Sequence, residues 1–194
     1  LGRIGRVYLA ALDDDVVASF DGMLLYTPRS QLEHPRPGVA ITHDEASMLA
    51  ALAHLSHVII ASATTTHAVW MDRVVAAGVR NVYVEKPASG VAENINRWSR
   101  EAEAKGIRIF VGFQRPLHPD VAQALDEVRH LRAAGELTPA HTLELETRDA
   151  APPPLAYAAA SGGIVMDMST HDWHEAAAAL GLGLEDWARA PAGG

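Results

Sequence analysis

The stretch His57–Pro87, HVIIASATTTHAVWMDRVVAAGVRNVYVEKP, decides the fold class. It opens on a compact apolar run, His57–Ser62, of the length and composition of a buried strand. Thr66–Ala77 then takes helical spacing and is stopped by Gly78. Asn81–Glu85 is a second strand. Strand, helix and strand in one such stretch form a βαβ unit, which implies a parallel sheet. Downstream the pattern repeats: Val91–Lys105 is a helix stopped by Gly106, and Arg108–Phe113 is a strand. Upstream, Gly5–Leu12 reads as a helix after a glycine turn and Asp13–Asp15 as a turn. Val16–Phe20 reads as a buried strand ending in Asp21, and Gly22–Pro37 mostly as loop. Val39–Ile41 is a short strand and Asp44–Leu55 has helical spacing. The unbroken apolar runs predict strands buried on both faces. After Gln114 the alternation stops. Pro119–Ala134 is a long helix, His141–Glu146 is strand-like, Ala150–Pro154 is a proline-rich loop, and Ile164–Leu180 is a helix. The boundary between two domains is expected near Arg115–Pro119.

Composition narrows the classes. Apolar residues make up 48% of the 194 and charged residues 21%, an ordinary globular balance. A net charge of -8 without a basic run argues against nucleic-acid binding. There is no cysteine, which excludes disulfides, Cys-ligated zinc and thiol catalysis and fits a reducing cytoplasm. Apolar runs such as Val58–Ala61 are far short of the roughly 20 residues that span a bilayer, so no membrane partner is expected. The chain does not begin with Met. It opens inside what reads as a motif, and a truncated start is the expectation. Of 16 cationic Lys and Arg residues, only Lys86 and Lys105 are lysines. Lys105 precedes Gly106, where a cation suits a helix C-terminus. Lys86 has no such structural explanation.

Three motifs carry chemistry. Gly2-Arg3-Ile4-Gly5 matches the last two glycines of a G-x-G-x-x-G turn, in which backbone approaches a pyrophosphate at a helix N-terminus; two glycines alone also suit a plain tight turn. Asp21 follows Gly2 by 19 residues, where an acid at a strand end accepts hydrogen bonds from an adenosine ribose. Glu85-Lys86-Pro87 closes a strand at the edge where open α/β sheets bind ligands; a surface salt bridge is the alternative. Asp167-x-x-x-His171 puts a carboxylate and an imidazole on one helix face, as in pairs where the acid orients a general base. A helix-surface hydrogen bond would look the same. A metal site at His171 and His174 lacks an identifiable third ligand, so no metal is expected.

Together these motifs resemble the Gfo/Idh/MocA oxidoreductases, and within them the inositol 2-dehydrogenase-like branch. The resemblance covers nearly the whole chain. It rests on Gly2–Gly5, Ala61–His67, Glu85-Lys86-Pro87 and Val111-Gly112-Phe113-Gln114-Arg115. It also rests on Arg148–Pro154, Ser161-Gly162-Gly163 and Asp167-x-x-x-His171-Asp172. The chain departs from the family at Ser62-Ala63 (usually Thr-Pro), at Arg115-Pro116-Leu117-His118 (usually Arg-Arg-aromatic-Asp) and at His174 (usually Asp).

The resemblance implies a Rossmann-like α/β domain over residues 1–115, lacking its first strand. Residues 116–194 would begin an α+β domain for substrate and dimerisation. It implies Lys86, Asp167 and His171 as catalytic residues. Gly2, Arg3, Ile4, Gly5, Asp21, Ser62, His67 and Glu85 would lie at the cofactor and Arg115 at the substrate. The expected reaction takes a hydride from a secondary alcohol of a cyclic polyol or sugar to NAD, with NADP as the alternative cofactor. Asp21 favours NAD, since a carboxylate would repel a 2′-phosphate; Arg29 is close enough in sequence to oppose it. A homo-oligomer is implied for the full-length protein. A non-catalytic NAD-binding regulator and an inactive fragment are the rival readings.

Overall fold

In chain order the first part of the molecule carries α1 (Arg3–Ala11), α2 (Asp14–Ala18), β1 (Met23–Tyr26), β2 (Val39–Thr42) and α3 (Glu45–Leu52). It continues with β3 (His57–Ile60), α4 (Thr64–Ala77), β4 (Asn81–Val84), α5 (Ala92–Lys105) and β5 (Arg108–Val111). The computed structural model describes residues 3–28, 37–138, 140–147, 155, 161 and 163–182. By their contacts the residues form two units, Leu1–Val111 and Gly112–Gly194.

All strand pairs are parallel, as the alternation of strands and helices requires. β4 lies between β3 and β5, in register Val58↔Val82 and Val82↔Ile109. β1 pairs with β2 as a separate two-stranded sheet. Val58, Ile60, Val82 and Val84 point to one face of the three-stranded sheet, where Met71, Val74 and Val75 of α4 and Trp98 and Ala102 of α5 bury them. The Trp98 indole N–H donates to Asp72 Oδ1 at 2.6 Å, so the one polar atom of this core ring is satisfied. α4 and α5 end alike. Gly78 and Gly106 take left-handed backbone (φ 76 and 65), and the next residue, Val79 or Ile107, bonds back to Val74 or Ala102.

Three expectations are corrected. The strand at Val16–Phe20 is a short helix, α2; the strand comes later, at Met23–Tyr26, inside the stretch expected to be loop. Asp13–Asp15 is no turn: the Asp13 carboxylate accepts from the Val16 N–H at 2.8 Å, and Asp14 and Asp15 favour the helix N-terminus. Nor are the strands of the three-stranded sheet buried on both faces, since Ile59 and Phe110 are 51% and 54% exposed. On that second face α1 meets the sheet through Tyr8, which packs edge-on against Tyr83.

The second unit has a 3₁₀ turn (Arg115–Leu117), α6 (Pro119–Ala133) and α7 (Ile164–Leu180). α6 and α7 pack together, burying Leu125 and Ala179. His141–Glu146, expected to be strand-like, is irregular. The loop at Ala150–Pro154 lies outside the described residues. Among the described residues no helix is long and apolar enough to cross a membrane.

Candidate active site

The candidate residues fall into two groups, one in each unit. In the first, parallel pairing sets the carboxyl ends of β3 and β4 at one edge, so that Ser62 and Glu85-Lys86 leave the sheet on the same side. Gly2 lies outside the described residues. α1 begins at Arg3, Ile4 is half-buried and Gly5 is buried. No carboxylate occupies the first turn of α1. A helix start of this composition suits an anionic pyrophosphate.

Glu85 is buried at the end of β4, its N–H bonded to Ile60 O at 2.9 Å. Its carboxylate accepts a hydrogen bond from the Tyr8 hydroxyl of α1, and the Tyr8 and Tyr83 hydroxyls lie 2.8 Å apart. Burial, followed by the bond to Glu85, holds the Tyr8 hydroxyl well above the ordinary tyrosine range, so Tyr8 remains a donor. Tyr8 was not singled out from sequence. The signal was there, in two tyrosines among otherwise apolar neighbours, but the sequence separation of 77 between Tyr8 and Glu85 hid their contact.

His67 is 1% exposed, and both ring nitrogens face carbonyls: Nδ1 faces Pro87 O at 2.8 Å and Nε2 faces Ser62 O at 3.1 Å. It therefore clamps the turn after β3 to the turn after β4. That sets the backbone around half-buried Lys86. Ser62 is exposed, and its hydroxyl accepts from Thr66 Oγ1 at 2.7 Å.

Asp21 does not sit at a strand end. It is exposed and precedes β1, so the strand separates it from the carboxyl edge. Four residues at about 3.3 Å each put roughly 13 Å between the two ends. The strand end on which a ribose contact was expected from Asp21 therefore lies after Tyr26.

In the second unit α7 carries the site. Asp167, His171, Glu175 and Ala179 recur every four residues and are all buried, forming one inward stripe. The sequence pattern showed its first two members; Glu175 extends it. Phe113 packs edge-on to the His171 ring and stacks flat on His174, with ring centroids 4.2 Å apart. Burial pushes the His174 imidazole below its ordinary value, which keeps it neutral at pH 7. Arg115 Nη1 donates to Thr147 Oγ1 at 2.7 Å and to Asp172 Oδ1 at 2.9 Å, and the Thr147 hydroxyl donates to Asp172 at 2.6 Å. Glu175 lies 4.0 Å from the same guanidinium. Burial raises the Glu175 carboxyl above the ordinary carboxylate range, Arg115 opposes that and Asp172 adds to it. Arg115, Thr147, Asp172 and Glu175, with Val121 and Leu145, line a cavity of about 350 Å³. Within it Arg115, Thr147 and Asp172 are hydrogen-bonded to one another.

The amino-terminal 113 residues match the family model of the Gfo/Idh/MocA oxidoreductases, described as an oxidoreductase family with an NAD-binding Rossmann fold, and the chain belongs to that family. It is 28% identical over 191 residues to the myo-inositol 2-dehydrogenase of Thermotoga maritima, an alignment covering 96% of this chain and 54% of the relative. It is also 28% identical to the inositol 2-dehydrogenase of Rhizobium meliloti, covering 93% of the chain and 53% of the relative. Among solved structures, a probable dehydrogenase from Thermotoga maritima superposes with a TM-score of 0.70 at 26% identity, over 93% of this chain and 53% of that one. The chain thus spans about half the length of these relatives.

Proposed function

We propose that this chain carries the cofactor-binding unit and the proton-transfer helix of a dehydrogenase acting on a secondary alcohol of a cyclic polyol or sugar. The observation that carries this reading is the buried polar stripe of α7. A helix face that sinks Asp167, His171 and Glu175 into the interior carries a desolvation cost that an apolar face avoids. Such an arrangement is typical of sites that need shifted acids and bases. Inositol 2-dehydrogenases among the relatives point to the cyclic polyol class.

A nicotinamide dinucleotide, when bound, supplies the hydride acceptor. The first turn of α1 would hold its pyrophosphate, and the ends of β3 and β4 would flank it. The chain's own residues handle the proton and the charge. As the carbinol carbon gives up its hydride and becomes a carbonyl, His171 takes the hydroxyl proton and passes it to solvent. Asp167, one turn earlier, favours the imidazolium that forms. Lys86 donates a hydrogen bond to the reacting oxygen and stabilises the negative charge developing there. Arg115, held by Asp172 and Thr147, would set the substrate's other hydroxyls.

The test is a panel of inositol isomers and sugars incubated with NAD or NADP and followed by reduced-nicotinamide absorbance. Turnover of at least one cyclic polyol, lost in Lys86→Met, is the expected result. A protein that binds the dinucleotide but turns over no member of the panel would refute the dehydrogenase reading and favour a regulator.

A further inference from the structure

The adenosine end of a dinucleotide is sorted by charge. In Rossmann folds an acid about 20 residues beyond the glycine turn, at the end of the second strand, hydrogen-bonds the free ribose hydroxyls and repels a 2′-phosphate. In this chain the corresponding strand is β1, and it ends on Tyr26 and Thr27. Thr27 is held there firmly. Its N–H bonds to Thr42 O at 3.2 Å, and its carbonyl lies 2.6 Å from His43 Nδ1 at the end of β2. The residue at the sorting position is therefore a neutral hydroxyl amino acid with an imidazole beside it.

The neighbouring acids do not make up for this. Asp21 lies before the amino end of the strand. Asp44 caps α3, accepting from the Ser47 N–H at 2.8 Å and from the Ser47 hydroxyl at 2.6 Å. Glu45 pairs with Arg73 at 2.7 Å and accepts from the Tyr26 hydroxyl at 3.4 Å. Beyond Thr27 the sequence runs Pro28-Arg29-Ser30-Gln31-Leu32 and reaches its first carboxylate only at Glu33.

We propose that this protein accepts NADP at least as readily as NAD, because β1 ends on Thr27 and, among the described residues, no carboxylate stands there to repel a 2′-phosphate. The inference rests on the dinucleotide-dependent reading above and reverses the preference expected from Asp21. Discrimination against the phosphate needs a repulsive group, and the described residues place none at this strand end.

Calorimetric titration of NAD and of NADP into the purified protein tests it without reference to turnover. The dissociation constant for NADP is expected to be no more than about threefold above that for NAD. A larger preference for NAD would overturn the inference while leaving the dinucleotide reading intact. Failure to bind either would overturn both. Two variants locate the effect. Thr27→Asp restores the repulsive charge and should weaken NADP by about 100-fold with little change for NAD, the scale expected of like charges brought together. Thr27→Asn, of the same shape but neutral, should leave NADP within about threefold of the parent. If Asp and Asn at this position behave alike, charge at the end of β1 is not what sorts the two cofactors.

Discussion

The two units hold their candidate residues in place by different physics. In the first, Ser62, Glu85 and Lys86 sit where strands end, and a dry core of Met71, Val74, Val75, Val82, Val84 and Trp98 fixes those ends. In the second, among the described residues, Leu125 and Ala179 are the buried apolar side chains, against buried Ser161, Asp167, His171 and Glu175. There the polar groups themselves do much of the packing. A site mounted on strand ends is positioned by backbone that an apolar core outside the site holds in place. A site mounted along one helix face is part of its own support, so a change to its chemistry also changes its stability.

That contrast is open to attack. The largest effect is expected from Trp98→Ala, which empties the core under β4 and β5 and leaves Asp72 without its indole partner. It should cost about 3–5 kcal/mol in a urea unfolding experiment. A loss below about 1 kcal/mol would mean the first unit is not held by its apolar core. Next comes Lys86→Met. Turnover should fall roughly a hundredfold or more, with a far smaller change in the unfolding midpoint than Trp98→Ala gives, since Lys86 sits at a strand end outside that core. A matching drop in stability would erase the distinction between the units. Third, Asp167→Asn and His171→Gln should each lower turnover, and the double variant should lose less than the two single losses added in free energy. Strict additivity would assign them independent roles.

The fourth test uses pH. Glu175 is raised by burial, so the folded state holds its proton more tightly than the unfolded chain does. Its stabilising share is complete below the ordinary value of 4.5 and is lost as pH rises through the folded value. His174 is lowered, so its share is present above the ordinary value of 6.5 and is lost as pH falls below it. Glu175→Gln should therefore raise the unfolding midpoint at pH 7 and remove the decline above pH 4.5. A variant less stable than the parent at pH 7 would show that the carboxylate earns its place through Arg115. Smallest of all, Asp21→Asn should change the dissociation constant of either cofactor by no more than about twofold, as expected of an exposed surface position.

Much of the first unit was legible because its signals are local. Gly78 and Gly106 stop helices in whatever context they occur, and four-residue apolar runs between them leave little choice but strands. The misreading at Val16–Phe20 has a local cause as well. Val16, Val17 and Phe20 are apolar enough for a strand, but Asp13 caps a helix there, and α2 buries only Val17. One misplaced strand then carried Asp21 to the wrong edge of the sheet. On α7 the four-residue spacing made Asp167 and His171 legible as neighbours. Thr147 and Asp172 are 25 residues apart and Arg115 and Asp172 are 57 apart, and no periodicity within either segment could announce that they meet.

The matching ends of α4 and α5 also bear on how the chain finds its topology. Each glycine joint is closed by bonds reaching back only three and five residues, Gly78 to Val75 and Val79 to Val74, then Gly106 to Glu103 and Ile107 to Ala102. Loops this short close on a timescale of about 10–100 ns, well before strands separated by a whole helix are brought into register. The direction in which the chain leaves each helix is thus set while β3, β4 and β5 are still apart. Since a right-handed crossover is the arrangement that lets a twisted strand and a helix pack back onto one sheet, the two joints bias the search toward the correct hand before any pairing energy is available to choose it.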